Sequence, residues 1–393
     1  MYSARLQALI PSKAEKLMQI RAAVLSQMEQ PRPYAQTRPI AIESVNLAGP
    51  GPNEVLVKIT AAGLCHSDLS IVNGDRPRPM PMALGHEAAG VVEETGPGVS
   101  DLKRGDSVAL VVVPSCGHCL PCLEGRPALC EPGAVANTAG TMVGGHRHLS
   151  RADGTPLNHQ VGVSCFAEYA VCNRGSLVKV TPDLPQDVAA VFGCAVLTGV
   201  GAAINSAQIR LGQTVAVVGL GGVGLSAVLG ALAAGAREVI AIDSLPSKLE
   251  TALALGATRA FRADDPDLVA QVKAATGGGV DIAIEAASSV KALDAAYRIT
   301  RRGGTTVTCS LPPPSHTFNV PAVNLVAEER TLKGSYLGSA VPARDIPHYI
   351  ALFQAGRLPV DKLITHRLTL DQINEGFDRL ASGEAVRQVI LFD

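Results

Sequence analysis

Hydrophobic and polar positions change their rhythm about midway along this chain. Between about residues 40 and 110 the apolar residues come in short alternating or β-branched runs, as in Glu54-Val55-Leu56-Val57-Lys58-Ile59, Val91-Val92 and Ser107–Val113. Gly/Pro punctuation separates them at Gly49-Pro50-Gly51-Pro52, Gly96-Pro97-Gly98 and Arg104-Gly105-Asp106. Short strands with frequent turns predict a barrel-like all-β region. Residues 131–160, rich in Gly, Asn, His and Thr and without periodicity, read as a long excursion. From about residue 195 strands and helices alternate. Strands are expected at Thr214–Gly219, Glu238–Asp243, Val280–Ala286, Thr305–Ser310 and Thr331–Tyr336, with helices at Gly222–Ala234, Leu245–Leu255 and about Val290–Thr300. That alternation predicts a parallel sheet covered by helices on both faces. A helix near Ile346–Ala355 and a strand at Gln388–Phe392 follow, and the C-terminal segment is expected to return to the β domain.

Length and composition sharpen this picture in a few places. A chain of 393 residues fits two domains, and 47% apolar against 18% charged residues provides ample core. A formal net charge of -1 argues against nucleic acid or an anionic membrane as the main partner. No run of about 18 apolar residues stands out, so no membrane-spanning helix is expected. In residues 1–18, Leu6, Leu9, Ile10 and Leu17 could line one side of a helix, but Pro11 interrupts it. The secretory pattern is missing there, so a flexible N-terminal extension and a cytoplasmic location are expected.

Gly219-Leu220-Gly221-Gly222-Val223-Gly224 matches G-x-G-x-x-G. Alone the motif is weak. Here it follows an apolar strand, opens a helix, and Asp243 closes the next strand, which is the setting of a Rossmann dinucleotide site. Glycines let the backbone approach the pyrophosphate, whose charge meets the helix N-terminus. The Asp243 carboxylate can accept hydrogen bonds from a ribose and would repel a 2′-phosphate, which favours NAD over NADP. The competing reading is a Rossmann domain that binds another nucleotide or none.

Four of the nine cysteines crowd into Cys116-x-x-Cys119-x-x-Cys122-x7-Cys130. In a reducing compartment such crowding points to metal, and four thiolates suit a closed, structural zinc site. An iron–sulfur cluster also uses four cysteines, but the spacing before the last differs from common ferredoxin runs. Three further motifs carry potential ligands: Gly63-Leu64-Cys65-His66-Ser67-Asp68, Gly85-His86-Glu87, and Phe192-Gly193-Cys194 with Thr198-Gly199. Singly each has a plain reading as a buried cysteine or a satisfied histidine. Together they offer enough ligands for an open zinc site.

With these motifs in this order, the chain resembles the zinc-containing medium-chain alcohol dehydrogenases over residues 19–393. The quoted motifs and a terminal INEGFDRLASGEAVRQVI carry the likeness. The resemblance implies an α/β chain made of a GroES-like β-barrel catalytic domain (19–194 and 338–393, with a zinc lobe at about 113–131) and a Rossmann doubly wound sheet (195–337). It implies two zinc ions per chain, the catalytic one on Cys65, His86 and Cys194, the structural one on Cys116, Cys119, Cys122 and Cys130. Asp68 would orient His86, and Glu87 would sit behind the metal. Ser67 would take the alcohol proton. His66 and Arg387 would meet the cofactor pyrophosphate, Thr198 the nicotinamide and Lys248 the adenosine ribose. Gly219, Gly221, Gly222, Val223, Gly224 and Asp243 complete the NAD site.

One position departs from the family. Many relatives carry histidine five places after the first ligand cysteine, and this chain has Ser70. The proton relay is then expected to run from Ser67 through the ribose to Ser70 and water, or to involve His66. The family's substrate positions fall at Val112, Leu311 and Leu337, all apolar, which favours primary aliphatic, allylic or benzylic alcohols or their aldehydes. The glutathione-dependent formaldehyde dehydrogenase branch normally has an arginine shortly after the lobe, where this chain has Ala134, so S-(hydroxymethyl)glutathione ranks behind as the alternative substrate. A zinc-free quinone reductase would lack both cysteine sets, and a non-catalytic dinucleotide-binding relative would have little use for an open zinc site. By analogy a homodimer is expected through the strand at Thr331–Tyr336, with a homotetramer as the alternative, a small-molecule alcohol or aldehyde as the substrate, and neither nucleic acid nor membrane as a partner.

Overall fold

The structure is a computed structural model that describes residues 17–112 and 114–393. The expected N-terminal extension therefore lies outside the described residues up to position 16, and its end is corrected. Met18 already belongs to the first strand, Met18–Leu25, which pairs antiparallel with Ile40–Leu47.

The midchain alternation of strand and helix builds one sheet of six parallel strands. Their order is Arg259–Arg262, Glu238–Asp243, Thr214–Val218, Val280–Glu285, Thr300–Thr308, Thr331–Gly334. The order reverses beside Thr214–Val218, which opens a crevice at the carboxyl ends of the central strands. All five residues of that strand are buried, as expected for a strand covered on both faces. The expected helix over Val290–Thr300 ends one residue earlier, at Ile299, and Thr300 begins the next strand.

The β-branched runs of the first half build a curved antiparallel sheet. Its spine is the eleven-residue strand Glu54–Leu64. Glu54–Lys58 pairs with Tyr169–Asn173, the length of the strand pairs with Ala88–Thr95, and Ala61–Leu64 pairs with the C-terminal strand Arg387–Leu391. The end of the chain thus returns to the β region and places Arg387 near Cys65. A second sheet of five strands, from Met18–Leu25 to Asn158–His159, packs on this one.

Two sequence expectations need correction. Residues 131–160 contain a helix, Glu131–Ala139, with Pro132 in its first turn, Cys130 Sγ accepting from Gly133 N–H at 3.4 Å and Gly140 closing it at φ 65°. Its small and polar residues show no apolar stripe, so capping defines it rather than periodicity. Gln186–Ser206 is one helical run of 21 residues with mean hydropathy 1.9, long and apolar enough to span a membrane, against the sequence expectation. Of its apolar window 89% is buried within the chain, so its hydrophobicity serves the core. The run also crosses the domain boundary expected at 194/195.

Candidate active site

Cys65 follows the spine strand and caps the helix His66–Val72. Its φ of -134° and ψ of 157° keep it extended, and the Asp68 side chain folds back to accept the Cys65 N–H at 3.0 Å. This reciprocal cap places Asp68 underneath the cysteine. Its other oxygen, Oδ1, takes His86 Nδ1 at 2.6 Å and Gln160 Nε2 at 2.7 Å. Gln160 in turn accepts the Gly85 N–H at 2.6 Å. One carboxylate, itself fully buried, therefore locks three distant segments.

With Nδ1–H committed to Asp68, His86 presents a bare Nε2. That atom is buried and has no hydrogen-bond partner in the protein. It faces the sulfurs of Cys65 and Cys194, and the three ligand atoms lie within 4.8 Å of one another. Cys194 reaches them from a π-helical turn, Phe192–Val196, in the long apolar helix. Gly193 lets this turn press on the Leu110 carbonyl, where a Cβ would overlap.

The electrostatics call for a cation. Burial pulls the His86 pKa down, but Asp68 and Cys65 outweigh it and lift it to about 10. Contact with Cys194 pulls the Cys65 thiol well below its usual value, while the same contact pushes Cys194 up. A soft or borderline divalent ion held by two thiolates and one neutral imidazole relieves all three groups, with a fourth position free. The donor set fits zinc.

Behind this cluster the buried Glu87 pairs with Arg387. A Cβ at Gly63 would strike the Glu87 carboxylate, and one at Gly222 would strike the Arg387 side chain. Arg387 thus runs from the glycine loop to the acid beside His86. Ser67 Oγ lies 3.8 Å from Cys65 Sγ. Ser70 Oγ donates to the Ser67 carbonyl at 2.9 Å, which leaves its oxygen to accept. His66 is exposed to the crevice, and partial desolvation by the crevice walls pulls its pKa down.

The glycine loop forms as its sequence demands. Gly219 sits at φ +91°, and Gly224 packs on the Gly219 carbonyl where no Cβ fits. Gly221 caps the helix Gly222–Ala233 and meets nothing within 4 Å, so its outer face is open. Asp243 steadies the loop by accepting Leu220 N–H at 2.7 Å and Leu245 N–H at 2.9 Å. Each oxygen keeps a further lone pair. Lys248 Nζ donates to the Ala385 carbonyl at 2.7 Å. Burial lowers its pKa, against the pull of Asp243.

A crevice of about 490 Å³ joins the two regions. It is lined by Cys65, His66, Ser67, Ser70, His86, Val112, Cys194, Thr198, Gly219, Gly221, Gly222, Val223, Asp243, Lys248, Leu311, Leu337 and Arg387. Asp68, Glu87 and Gly224 support it from behind. The walls also carry Arg76, Arg78, Tyr336 and Gln160, which sequence reasoning missed. Arg76 donates to the Leu311 carbonyl at 3.0 Å, so the apolar trio shares its slot with a cation. No sequence signal distinguishes these from ordinary surface residues.

The cysteine lobe also converges. The sulfurs of Cys116, Cys119, Cys122 and Cys130 lie within 4.8 Å of one another. Backbone N–H groups aim at them, from Cys116 to Cys130 Sγ at 3.2 Å and from Cys119 to Cys116 Sγ at 3.3 Å. Such donors favour thiolate, and four thiolates suit a closed tetrahedral zinc.

Comparison with known proteins bears on the fold and the family. Residues 51–183 match the alcohol dehydrogenase GroES-like domain, and residues 222–355 match the zinc-binding dehydrogenase family. An NDMA-dependent alcohol dehydrogenase from Amycolatopsis methanolica is 38% identical over 377 residues, covering 95% of this chain and 99% of the relative. The crystal structure of an alcohol dehydrogenase zinc-binding domain protein from Burkholderia ambifaria superposes with a TM-score of 0.90 at 35% identity, over 96% of this chain and 100% of the other. Benzyl alcohol dehydrogenase from Acinetobacter calcoaceticus superposes with a TM-score of 0.89 at 32% identity, over the same shares. With its barrel, parallel sheet and zinc-ligand geometry, the chain belongs to the zinc-containing medium-chain alcohol dehydrogenase family, whose members use a nicotinamide dinucleotide.

Proposed function

We propose that this protein oxidises primary aliphatic, allylic or benzylic alcohols to aldehydes, and runs the reverse, with NAD as hydride acceptor and two zinc ions per chain. The observation that carries the reading is the orphaned His86 Nε2 facing Cys65 and Cys194 at the floor of a crevice that reaches the glycine loop. Cys65, His86 and Cys194 would hold the catalytic zinc, and the four lobe cysteines the structural one. When bound, the zinc supplies Lewis acidity toward an alcohol oxygen and the nicotinamide accepts hydride.

The chain's own residues do the rest. Asp68 holds His86 in the tautomer that leaves Nε2 bare. Ser67, beside Cys65, takes the proton of the substrate hydroxyl and passes it outward toward Ser70. Thr198 and Val223 line the crevice between the metal ligands and the loop, where a nicotinamide would lie. Asp243 offers lone pairs to an adenosine ribose and repels a 2′-phosphate, which supports NAD. Val112, Leu311 and Leu337 give the metal end of the crevice an apolar lining for the carbon skeleton of the alcohol.

A second reading has a specific observation behind it. Arg76 and Arg78 in the crevice wall favour an alcohol that also carries an anionic group, as a thiol-conjugate substrate would. A homodimer through Thr331–Gly334 is supported by that strand's position at the sheet edge and its exposed residues.

The test is a panel of neutral and carboxylate-bearing alcohols with NAD and NADP, repeated with NDMA because one relative is named for it, alongside zinc content and light scattering. The reading expects NAD-linked oxidation of neutral alcohols, two zinc ions per chain, and a Cys65→Ser variant that loses activity but keeps the lobe metal. Less than one zinc per folded chain would overturn it, and turnover of carboxylate-bearing alcohols alone would favour the second reading.

A further inference from the structure

The crevice leaves one group of metal-ligating side chains unused. Glu54, His146 and His148 bring their ligand atoms within 4.8 Å of one another. Glu54 is the first residue of the spine strand, and the histidines flank Arg147 in the segment Gly144-Gly145-His146-Arg147-His148. Glu54 Oε1 lies 2.8 Å from His146 Nε2 and Oε2 lies 2.7 Å from His148 Nε2.

We infer that Glu54, His146 and His148 form a third metal site, which takes a divalent first-row transition ion such as Zn²⁺ and clamps the 142–148 segment onto the barrel.

The charge balance supports a cation here. Glu54 is only 2% exposed, yet its ion-pair partners among the described residues are the two imidazoles. No Lys or Arg side chain pairs with this buried carboxylate among the described residues, and a cation held between it and the imidazoles would compensate its charge. Two imidazole nitrogens and one carboxylate oxygen are also a donor set used by open zinc sites, with water in the fourth position. His146 remains half exposed, which leaves room for that water.

The geometry is close to what such an ion needs. Zinc bonds of 2.0–2.2 Å in a tetrahedron place donor atoms roughly 3.3 Å apart, so each carboxylate–imidazole contact needs to lengthen by only about half an ångström, and all the donor atoms already lie within 4.8 Å of one another. Glu54 and His148 are already held in place. Gly51 N–H donates to Glu54 Oε2 at 2.8 Å, Ala48 N–H to the His148 carbonyl at 2.9 Å, and His148 N–H to His159 Nε2 at 3.0 Å. This site is distinct from the catalytic one, since Glu54 and Leu64 stand at opposite ends of a strand about 33 Å long.

The experiment compares the holoenzyme with a His146→Ala/His148→Ala variant, both freed of loosely bound metal by a mild chelator and then titrated with Zn²⁺ alone. The wild type should take up one more zinc per chain than the variant, and added zinc should raise its Tm but not the variant's. Alcohol turnover should be the same in both. Glu54→Gln should lose the same zinc, and if its buried change prevents folding, the half-exposed His146→Ala decides alone. Equal zinc uptake and an equal Tm response in wild type and histidine variant would overturn the site, showing that the histidines merely neutralise Glu54 as imidazolium.

Discussion

The guanidinium of Arg387, on the last strand of the chain, pairs with the carboxylate of Glu87, the residue that follows the metal-ligand candidate His86. Both side chains are almost fully buried. Breaking a buried pair by removing one partner leaves an uncompensated charge, at about 3–5 kcal/mol. Arg387→Met and Glu87→Gln should each lower stability in urea denaturation on that order. The double variant should be less destabilised than the sum, because no charge is then stranded. Additive losses would mean that the two side chains act independently.

Asp68 holds the metal-ligand candidate His86 by its Nδ1. Asp68→Asn should reduce activity and catalytic-site zinc retention by about 10–100-fold, the usual effect of losing a carboxylate that orients a ligating histidine. The lobe zinc should stay, because its cysteines share no partner with Asp68. Zinc analysis after mild chelation separates the two ions.

Two glycines of one loop should respond differently to alanine. At Gly224 a Cβ would overlap the Gly219 carbonyl, so Gly224→Ala should cost about 1–3 kcal/mol in stability as well as cofactor binding. At Gly221 nothing lies within 4 Å of the added carbon. Gly221→Ala should therefore keep the wild-type Tm while weakening dinucleotide binding, since only a ligand approaches that face. Thermal melts and NADH titration read the two effects.

Ser70 spends its proton on the Ser67 carbonyl and has no basic group to offer the relay. Ser70→His would place a base with a pKa near 6.5 at that point. The pH profile of kcat should then flatten near neutrality, and dependence on buffer concentration should fall. An unchanged profile would remove Ser70 from the proton path.

Burial raises the Asp281 pKa, but the Thr214 N–H and Arg301 outweigh it and hold the carboxyl below its usual value. A depressed carboxyl contributes stability above its unfolded pKa of about 3.9, and that contribution is lost as pH falls through the folded value. Asp281→Asn should therefore be less stable than wild type at pH 7, by about 1 kcal/mol or less because the pair is partly solvated. The gap should close below about pH 4. Denaturation curves at pH 7 and pH 3.5 check the sign.

The lobe and the glycine loop were legible because their chemistry is local. Four cysteines within Cys116–Cys130, and glycines between an apolar strand and a helix, can meet without help from the rest of the chain. Cys65, His86 and Cys194 come from separate elements, and only likeness to a family linked them before the fold was in view. Gln160 carried no signal, since its role is to bridge Asp68 and Gly85 across segments distant in sequence. The helix Glu131–Ala139 escaped notice because small capped helices lack an apolar stripe, and Gln186–Ser206 because buried helices lack a polar one.

The sequence by itself determined the two architectures, the dinucleotide loop with Asp243, and the cysteine lobe, since hydrophobic period and short-range spacing specify each. Tertiary structure alone decided that His86 Nε2 faces two sulfurs, that Arg387 reaches back to Glu87, that Arg76 reaches the Leu311 carbonyl, and that Glu54 meets His146 and His148. Those contacts join residues far apart in the chain, and their geometry exists only after burial has brought the strands and helices together.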